Sequence, residues 1–210
     1  MQAVPLALGQ VLYEPGGRMR HVYFPTSSMV SLVTVTNGGK ALEVGLVGPQ
    51  GMVGVSLVLG IGTSPVRAIA QGGGSALRMS VPAFVAELKR NRPLRREASL
   101  YVHVSMVTAM HIAACNLAHT LESRLARWLL MTRDCLRTDT FLLTQEFLAQ
   151  MLGVRRSGVS EVARRLQQGG LIRYSRGKIT LRNHPQAERP LKEAKSSLAA
   201  LARTRPEFSV

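Results

Sequence analysis

The segment TQEFLAQMLGVRRSGVSEVARRLQQGGLI, residues 144–172, constrains this 210-residue chain more than any other. Thr144 can cap a helix, and Glu146 sits in the first turn, where the helix dipole favours an acid. Phe147 stands where a glutamate or glutamine would complete a capping box. The first helix runs to Leu152, and Gly153 follows where a chain leaving a helix needs a positive φ. A second helix starts at Arg155 or Arg156 and ends at the Gly169-Gly170 pair. Two helices joined by a three- to four-residue glycine turn make a helix-turn-helix. That geometry demands a small residue where the helices cross, which is Ala149. It also demands apolar residues at Leu148, Leu152, Val154, Val159 and Val162 to hold the pair together, and all are present.

With Val159, Val162, Ala163 and Leu166 turned inward, the second helix presents Arg156, Ser157, Ser160, Glu161 and Arg164 outward. The N-terminal part of such a helix reaches base edges in a major groove. Arg156, Ser157, Ser160 and Glu161 are the candidate base readers. Arg156 is suited to a bidentate contact with guanine, and Glu161 either accepts from a cytosine amine or pairs with Arg164 or Arg165. Gly158 inside a helix costs about 1 kcal/mol against alanine. Close approach to DNA or to the first helix would explain it. Next, LIRYSRGKITLRN alternates around a turn at residues 175–177 and reads as a β-hairpin wing. Thr144, Gln145, Arg155, Arg164, Tyr174, Arg176 and Lys178 are candidate phosphate contacts, which add affinity and salt dependence but no sequence choice.

Charge agrees. The net charge is +15, which favours a polyanionic partner. Residues 1–96 hold ten Lys/Arg against three Asp/Glu, whereas residues 144–182, less than half as long, hold eight against Glu146 and Glu161, so the charge is denser at this motif.

Upstream, residues 9–85 read as β structure. The runs HVYFP, SMVSLVTVT, ALEVGLV, GMVGVSLVLG, VRAIAQ and ALRMSV are separated by Gly/Pro/Asn turns, and TNGGK at residues 36–40 is a hairpin signal. A sandwich, jelly roll or barrel follows. Ser80 and Pro82 open a helix, VPAFVAELKR, which Pro93 separates from a long helix starting at Leu94 and ending at His119. On it Leu100, Val107 and Ala114 recur every seven residues with His103, Met110 and Leu117 between them, an a/d seam of the length of a dimerisation helix. The histidines at 103, 111 and 119 are eight apart and do not converge on a metal. A further helix, TLESRLARWLLMTRDCL, puts Leu121, Leu125, Trp128 and Leu129 on one face with Arg124 and Arg127 flanking it. Past Arg182 the chain reads as one more amphipathic helix and a frayed tail.

The fold class is therefore α+β: a β sandwich or jelly roll over residues 1–93, a long dimerisation helix over 94–119, and a winged helix-turn-helix over 120–210. Residues 98–121 carry no Asp, Glu, Lys or Arg, but their histidines, Asn116 and Ser/Thr suit a buried interface helix better than a bilayer span. No membrane partner is expected. Cys115 and Cys135, without any C-x-x-C, read as free thiols in a reducing cytoplasm. The first residues lack a basic n-region followed by an apolar h-region, so no signal peptide is read there. An enzyme on the β domain would need a cluster of histidines and carboxylates, and residues 9–85 offer only His21, Glu14 and Glu43. No catalytic residue, metal or cofactor is assigned.

The order of these parts resembles the bacterial Crp-Fnr superfamily of transcription regulators. The resemblance is most specific over LTQEFLAQMLGVRRSGVSEVARRLQQGGLIRYSRGKITL and looser over GQVLYEPGG, HVYFPTSSMVSLV and GMVGVSLVLG. It implies a cyclic-nucleotide-binding-like β domain, a homodimer joined along the long helices, a two-fold symmetric operator in double-stranded DNA, and RNA polymerase as a further partner. Members usually begin with a helix. Only eight residues precede Gly9, so either the true start lies upstream or that helix is missing. Nucleotide-binding members carry a glycine and then a glutamate for the ribose, and farther on an Arg-Ser pair for the phosphate. The matching positions here are Gly54-Val55 and Ser64-Pro65, with Arg67 displaced. Losing both polar anchors would leave a bound nucleotide's groups unpaired. The resemblance thus implies a sequence-specific regulator whose effector is not a cyclic nucleotide, or is absent. Two alternatives stay open: a non-specific basic nucleic-acid binder, and a cyclic-nucleotide-responsive regulator with a divergent pocket.

Overall fold

The computed structural model describes residues 1–35 and 41–182. The hairpin expected at residues 36–40 and the helix expected past Arg182 lie outside the described residues.

The chain forms two compact units, one of Met1–Thr34 and Val44–Met110, the other of Val35–Glu43 together with the described residues from His111 onward. In the first, β1 (Gln2–Leu6), β3 (His21–Pro25) and β7 (Gly74–Ser80) form an antiparallel sheet in the order β1-β7-β3. A second sheet, in the order β2-β6-β4-β5, takes β2 (Val11–Tyr13), β4 (Val30–Val35), β5 (Ala41–Val47) and β6 (Arg67–Ala70). Alternating side chains of both sheets share one core: Leu6, Val22 and Ala76 from the first, Tyr13, Val30 and Ala68 from the second. The sandwich expected from the spacing of the strands is present. β1 carries Pro5, which an edge strand tolerates because its missing N–H removes no interior ladder bond.

One expected strand is different. Of GMVGVSLVLG, only Val53 bridges to Tyr23, and Val55–Leu59 is a 3-10 helix. Gly54 turns the chain at φ 107, and a Cβ there would come 2.9 Å from the Tyr13 hydroxyl.

α1 (Val81–Arg90) buries Phe84 and Leu88, one turn apart, in the same core. Ser80 holds the N-cap position, but its side chain makes no capping bond. α2 (Arg92–Ala118) follows after Asn91, whose Oδ1 accepts from the Leu94 N–H. Ser99, Ser105 and Thr108 on α2 donate to the carbonyls four residues back, so their hydroxyls are satisfied within the helix.

In the second unit, α3 (Leu121–Leu136) is capped by Thr120, and α4 (Gln145–Leu152) and α5 (Arg156–Gln168) follow. Strands β8 (Thr140–Leu142), β9 (Ile172–Ser175) and β10 (Lys178–Leu181) make an antiparallel sheet in the order β8-β10-β9. The wing expected as a hairpin is thus three-stranded, with β8 as its third strand. Cys115 is buried, Cys135 is half-buried, and neither forms a disulfide among the described residues.

Candidate nucleic-acid interface

The helix-turn-helix is built by short, local bonds. Thr144 Oγ1 accepts the Phe147 N–H at 3.1 Å, capping α4. At the other end Gly153 takes φ 66, its N–H reaches the Gln150 carbonyl, and the Val154 N–H reaches the Ala149 carbonyl. This paired closure, a Schellman motif, satisfies carbonyls that a helix end leaves idle. A Cβ at Gly153 would meet Leu42 Cδ1 at 3.0 Å, and the positive φ strains any other residue there. Ala149, Leu148 and Leu152 from α4 are buried with Val159, Val162, Ala163 and Leu166 from α5. Val154 is half-buried.

α5 runs from Arg156, as expected, and its apolar side faces inward, leaving Arg155, Arg156, Ser157, Glu161, Arg164 and Arg165 exposed. Arg155, Arg156 and Arg164 make no ion pair among the described residues. Arg155 and Arg156 thus stand at the start of α5 and Arg164 two turns farther along it, unpaired among the described residues.

Other expected contacts are already engaged. Glu161 pairs with Arg165 Nη1 at 2.5 Å, and Arg165 Nε also reaches Glu122 on α3 at 3.3 Å. The intrahelical pairing is the one the structure contains. The Ser160 hydroxyl lies 2.6 Å from Gln145 Oε1 and 3.0 Å from the Arg156 carbonyl, tying α5 to α4. Tyr174 is half-buried on β9 rather than at the tip, and its hydroxyl donates to the Leu143 carbonyl at 2.9 Å. Burial raises its pKa, and the nearby Arg156 charge opposes that rise. Arg176 and Gly177 form the two-residue turn between Ser175 and Lys178, with φ 50 and 75. Positive φ at both positions marks a type I′ hairpin, whose twist suits the flanking strands. Arg176 and Lys178 are both exposed there. Gly158 has only Leu121 Cδ2 within reach of a Cβ, at 3.4 Å. The first helix does not approach it.

In the β domain the Arg67 Nε is 2.7 Å from Glu14 Oε2, so its charge is matched. Ser64 is buried and donates to the Val66 carbonyl at 2.7 Å, and Pro65 is exposed. Val55 is half-buried at the start of the 3-10 helix. The Tyr13 hydroxyl beside Gly54 donates to the His21 carbonyl at 2.5 Å. Burial, and then Tyr23, push its pKa well above the ordinary tyrosine value.

On α2 the seam residues are at most half covered by the described residues of their own chain. Met110 is 62% exposed and Leu117 92%. His103 and Ala114 are exposed, and Leu100 and Val107 half-buried. By length and hydropathy α2 could cross a bilayer, and only 17% of its most apolar window is buried.

Two features escaped the sequence. Arg127, placed beside an apolar face by its spacing, is buried. Trp128 Nε1 donates to the buried Glu43 at 3.0 Å, a pairing across 85 positions.

Two domain models match the chain: the cyclic nucleotide-binding domain over residues 3–91 and the Crp-like helix-turn-helix domain over residues 123–186. No curated protein matches it. Among solved structures, TTHB099, a transcriptional regulator of the CRP family from Thermus thermophilus, is 20% identical with a TM-score of 0.73, over 91% of this chain and 97% of that one. FixK2 from Bradyrhizobium japonicum is 14% identical with a TM-score of 0.73, over 93% and 96%. TTHA1359, a transcriptional regulator of the CRP/FNR family, also from Thermus thermophilus, is 23% identical with a TM-score of 0.67, over 98% and 100%. At such identities these neighbours speak for the fold, and the two domain models, in this order on one chain, speak for the family. The chain belongs to the Crp-Fnr family of transcription regulators and carries that family's helix-turn-helix DNA-binding domain.

Proposed function

We propose that the protein is a sequence-specific regulator that binds a two-fold symmetric operator as a homodimer in the cytoplasm. The observation that carries this reading is the exposed face of α5, where Arg155, Arg156 and Arg164 make no ion pair among the described residues while the opposite face is buried. A solvated basic helix has no need of that arrangement, whereas a helix in the major groove does. Arg156 and Ser157 read bases. Arg155, Arg164, Arg176 and Lys178 meet phosphates. Glu161 and Ser160 join the base readers only by giving up Arg165 and Gln145.

The exposed methionines and leucine of α2 support self-association along that helix, since a water-facing apolar stripe of this length is costly to leave uncovered. A bilayer would cover it too, but the seven-residue recurrence of Leu100, Val107 and Ala114 favours a second copy. RNA polymerase is the further partner that the family resemblance implies. The effector is not a cyclic nucleotide, or is absent: Val55 offers the ribose no acceptor, Arg67 is bound to Glu14, and Ser64 is turned onto Val66. Genome-wide footprinting of the bound protein tests the reading. A shared, two-fold symmetric sequence beneath the footprints is the expected result, and footprints without a common sequence would overturn it.

A further inference from the structure

The junction of α1 and α2 carries a cationic surface that the fold does not account for. Residues 89–97 hold Lys89, Arg90, Arg92, Arg95 and Arg96 against Glu97 alone, and all six are exposed. Arg92, Arg95 and Arg96 stand three and four residues apart in the first turns of α2, so they share one side of that helix. The other side is held by the sandwich: Ala98 is buried in its core, with Leu94 and Tyr101 packed against the same cluster. Packing therefore turns the three arginines outward. Nothing within the helix favours them there. Like charges three and four residues apart repel. Cations in a first turn also oppose the helix dipole, and α2 has no acid in that turn. Arg90 differs, because it ends α1, where the dipole favours a cation, and it pairs with Glu87.

Three arginines that weaken their own helix and stay in water point to a polyanion outside it. The guanidinium fork matches both phosphate and carboxylate oxygens, so a duplex backbone and an acidic protein surface share the chemistry. Magnitude separates them. Exposed ion pairs are weak one at a time, too weak to capture a free protein partner. A duplex already held by the helix-turn-helix meets the patch at a high effective concentration, where the same weak pairs add to affinity. We propose that Arg92, Arg95 and Arg96 hold the phosphates of DNA that flanks the operator. The proposal rests on the DNA-binding reading. α2 has 27 residues and is about 40 Å long, and α3 and the helix-turn-helix follow its far end. DNA that reaches the patch must therefore run about 12 base pairs past the operator, at about 3.4 Å each, and bend toward α2.

The test compares the full chain with a variant carrying R92Q, R95Q and R96Q, exposed changes that the helix tolerates. Each is titrated with two duplexes at several salt concentrations. Both duplexes centre on one footprinted operator; the short one has about 26 base pairs, enough for two half-sites one turn apart, and the long one about 70. The wild type should bind the long duplex at least about fivefold more tightly than the short one, with a salt slope steeper by about 3 for each flank held. The variant should match the wild type on the short duplex and lose most of the gain from length. No gain from length in the wild type, or equal weakening of the variant on both duplexes, would overturn the contact. A variant that keeps the full gain would overturn it as well and assign the patch to an acidic protein surface. Preference of both proteins for the short operator duplex over a random one would leave the helix-turn-helix reading standing in each of these cases, whereas its absence would remove both readings.

Discussion

Arg156 and Lys178 carry the same charge at different places, and their roles separate on that ground. Arg156 opens the helix that enters the groove, whereas Lys178 lies beyond the I′ turn of the wing. Arg156→Ala should therefore cost about 1–3 kcal/mol of discrimination between the operator and a mismatched site. Lys178→Ala should weaken every duplex alike and lower the salt slope by about one. Titrating both variants against matched and mismatched duplexes at several salt concentrations checks the division, and equal losses on all sequences for Arg156→Ala would remove it from the base readers. Gly158 separates two explanations in the same way. Its Cβ would meet only Leu121 at an ordinary contact distance, so Gly158→Ala should stabilise the free protein by up to about 1 kcal/mol. If the glycine serves close approach to DNA, the same variant binds its operator more weakly; urea denaturation and a binding titration read the two effects independently.

Among elements, α3 does more than join its neighbours. It buries Leu125, Ala126, Arg127, Trp128, Leu129 and Leu130 in succession, too many for an amphipathic helix with one wet face. Trp128 anchors it through Glu43. Trp128→Phe keeps an aromatic ring but removes the donor and part of the buried volume, leaving a buried carboxylate oxygen without that partner, and should cost at least about 1–3 kcal/mol in chemical denaturation followed by circular dichroism. A variant as stable as the wild type would show that the bond contributes nothing net. α2 makes its claim at the opposite extreme, by what it leaves uncovered. Met110→Glu with Leu117→Glu should shift the chain from dimer to monomer, since each side chain buried in a seam contributes about 1.5–3 kcal/mol. Sedimentation equilibrium reads this directly, and an unchanged mass would move the dimer surface elsewhere.

At the scale of the whole molecule, the parts legible in the sequence were those whose residues must meet several conditions at once. The helix-turn-helix asked for a small Ala149, a left-handed Gly153 and an inward Val159 at fixed spacing, and few sequences satisfy all three together. The sandwich was legible as a class because turn residues punctuate short apolar runs. Its particulars were not. GMVGVSLVLG has no period, so nothing local distinguishes a strand from the 3-10 helix that Gly54 starts. β1 and β8 are short, and their partners come from residues far along the chain. Within the site, exposure could be read from helical periodicity, but engagement could not. Ser160 with Gln145, Tyr174 with Leu143, and Arg67 with Glu14 depend on neighbours that only the fold supplies. Arg127 was the furthest from view, because charge argues for solvent and only tertiary packing overrides it.

The central claim is that α5 reads sequence rather than charge, and competition binding tests it most directly. The protein is bound to a duplex from beneath one of its own footprints and displaced, at physiological salt, by the same duplex and by a random duplex of equal length. Sequence-specific recognition predicts that the random duplex is needed at a concentration at least about 10³-fold higher. Displacement at equal concentrations, with the same salt slope for both duplexes, would contradict it and leave a basic protein that binds DNA by charge alone.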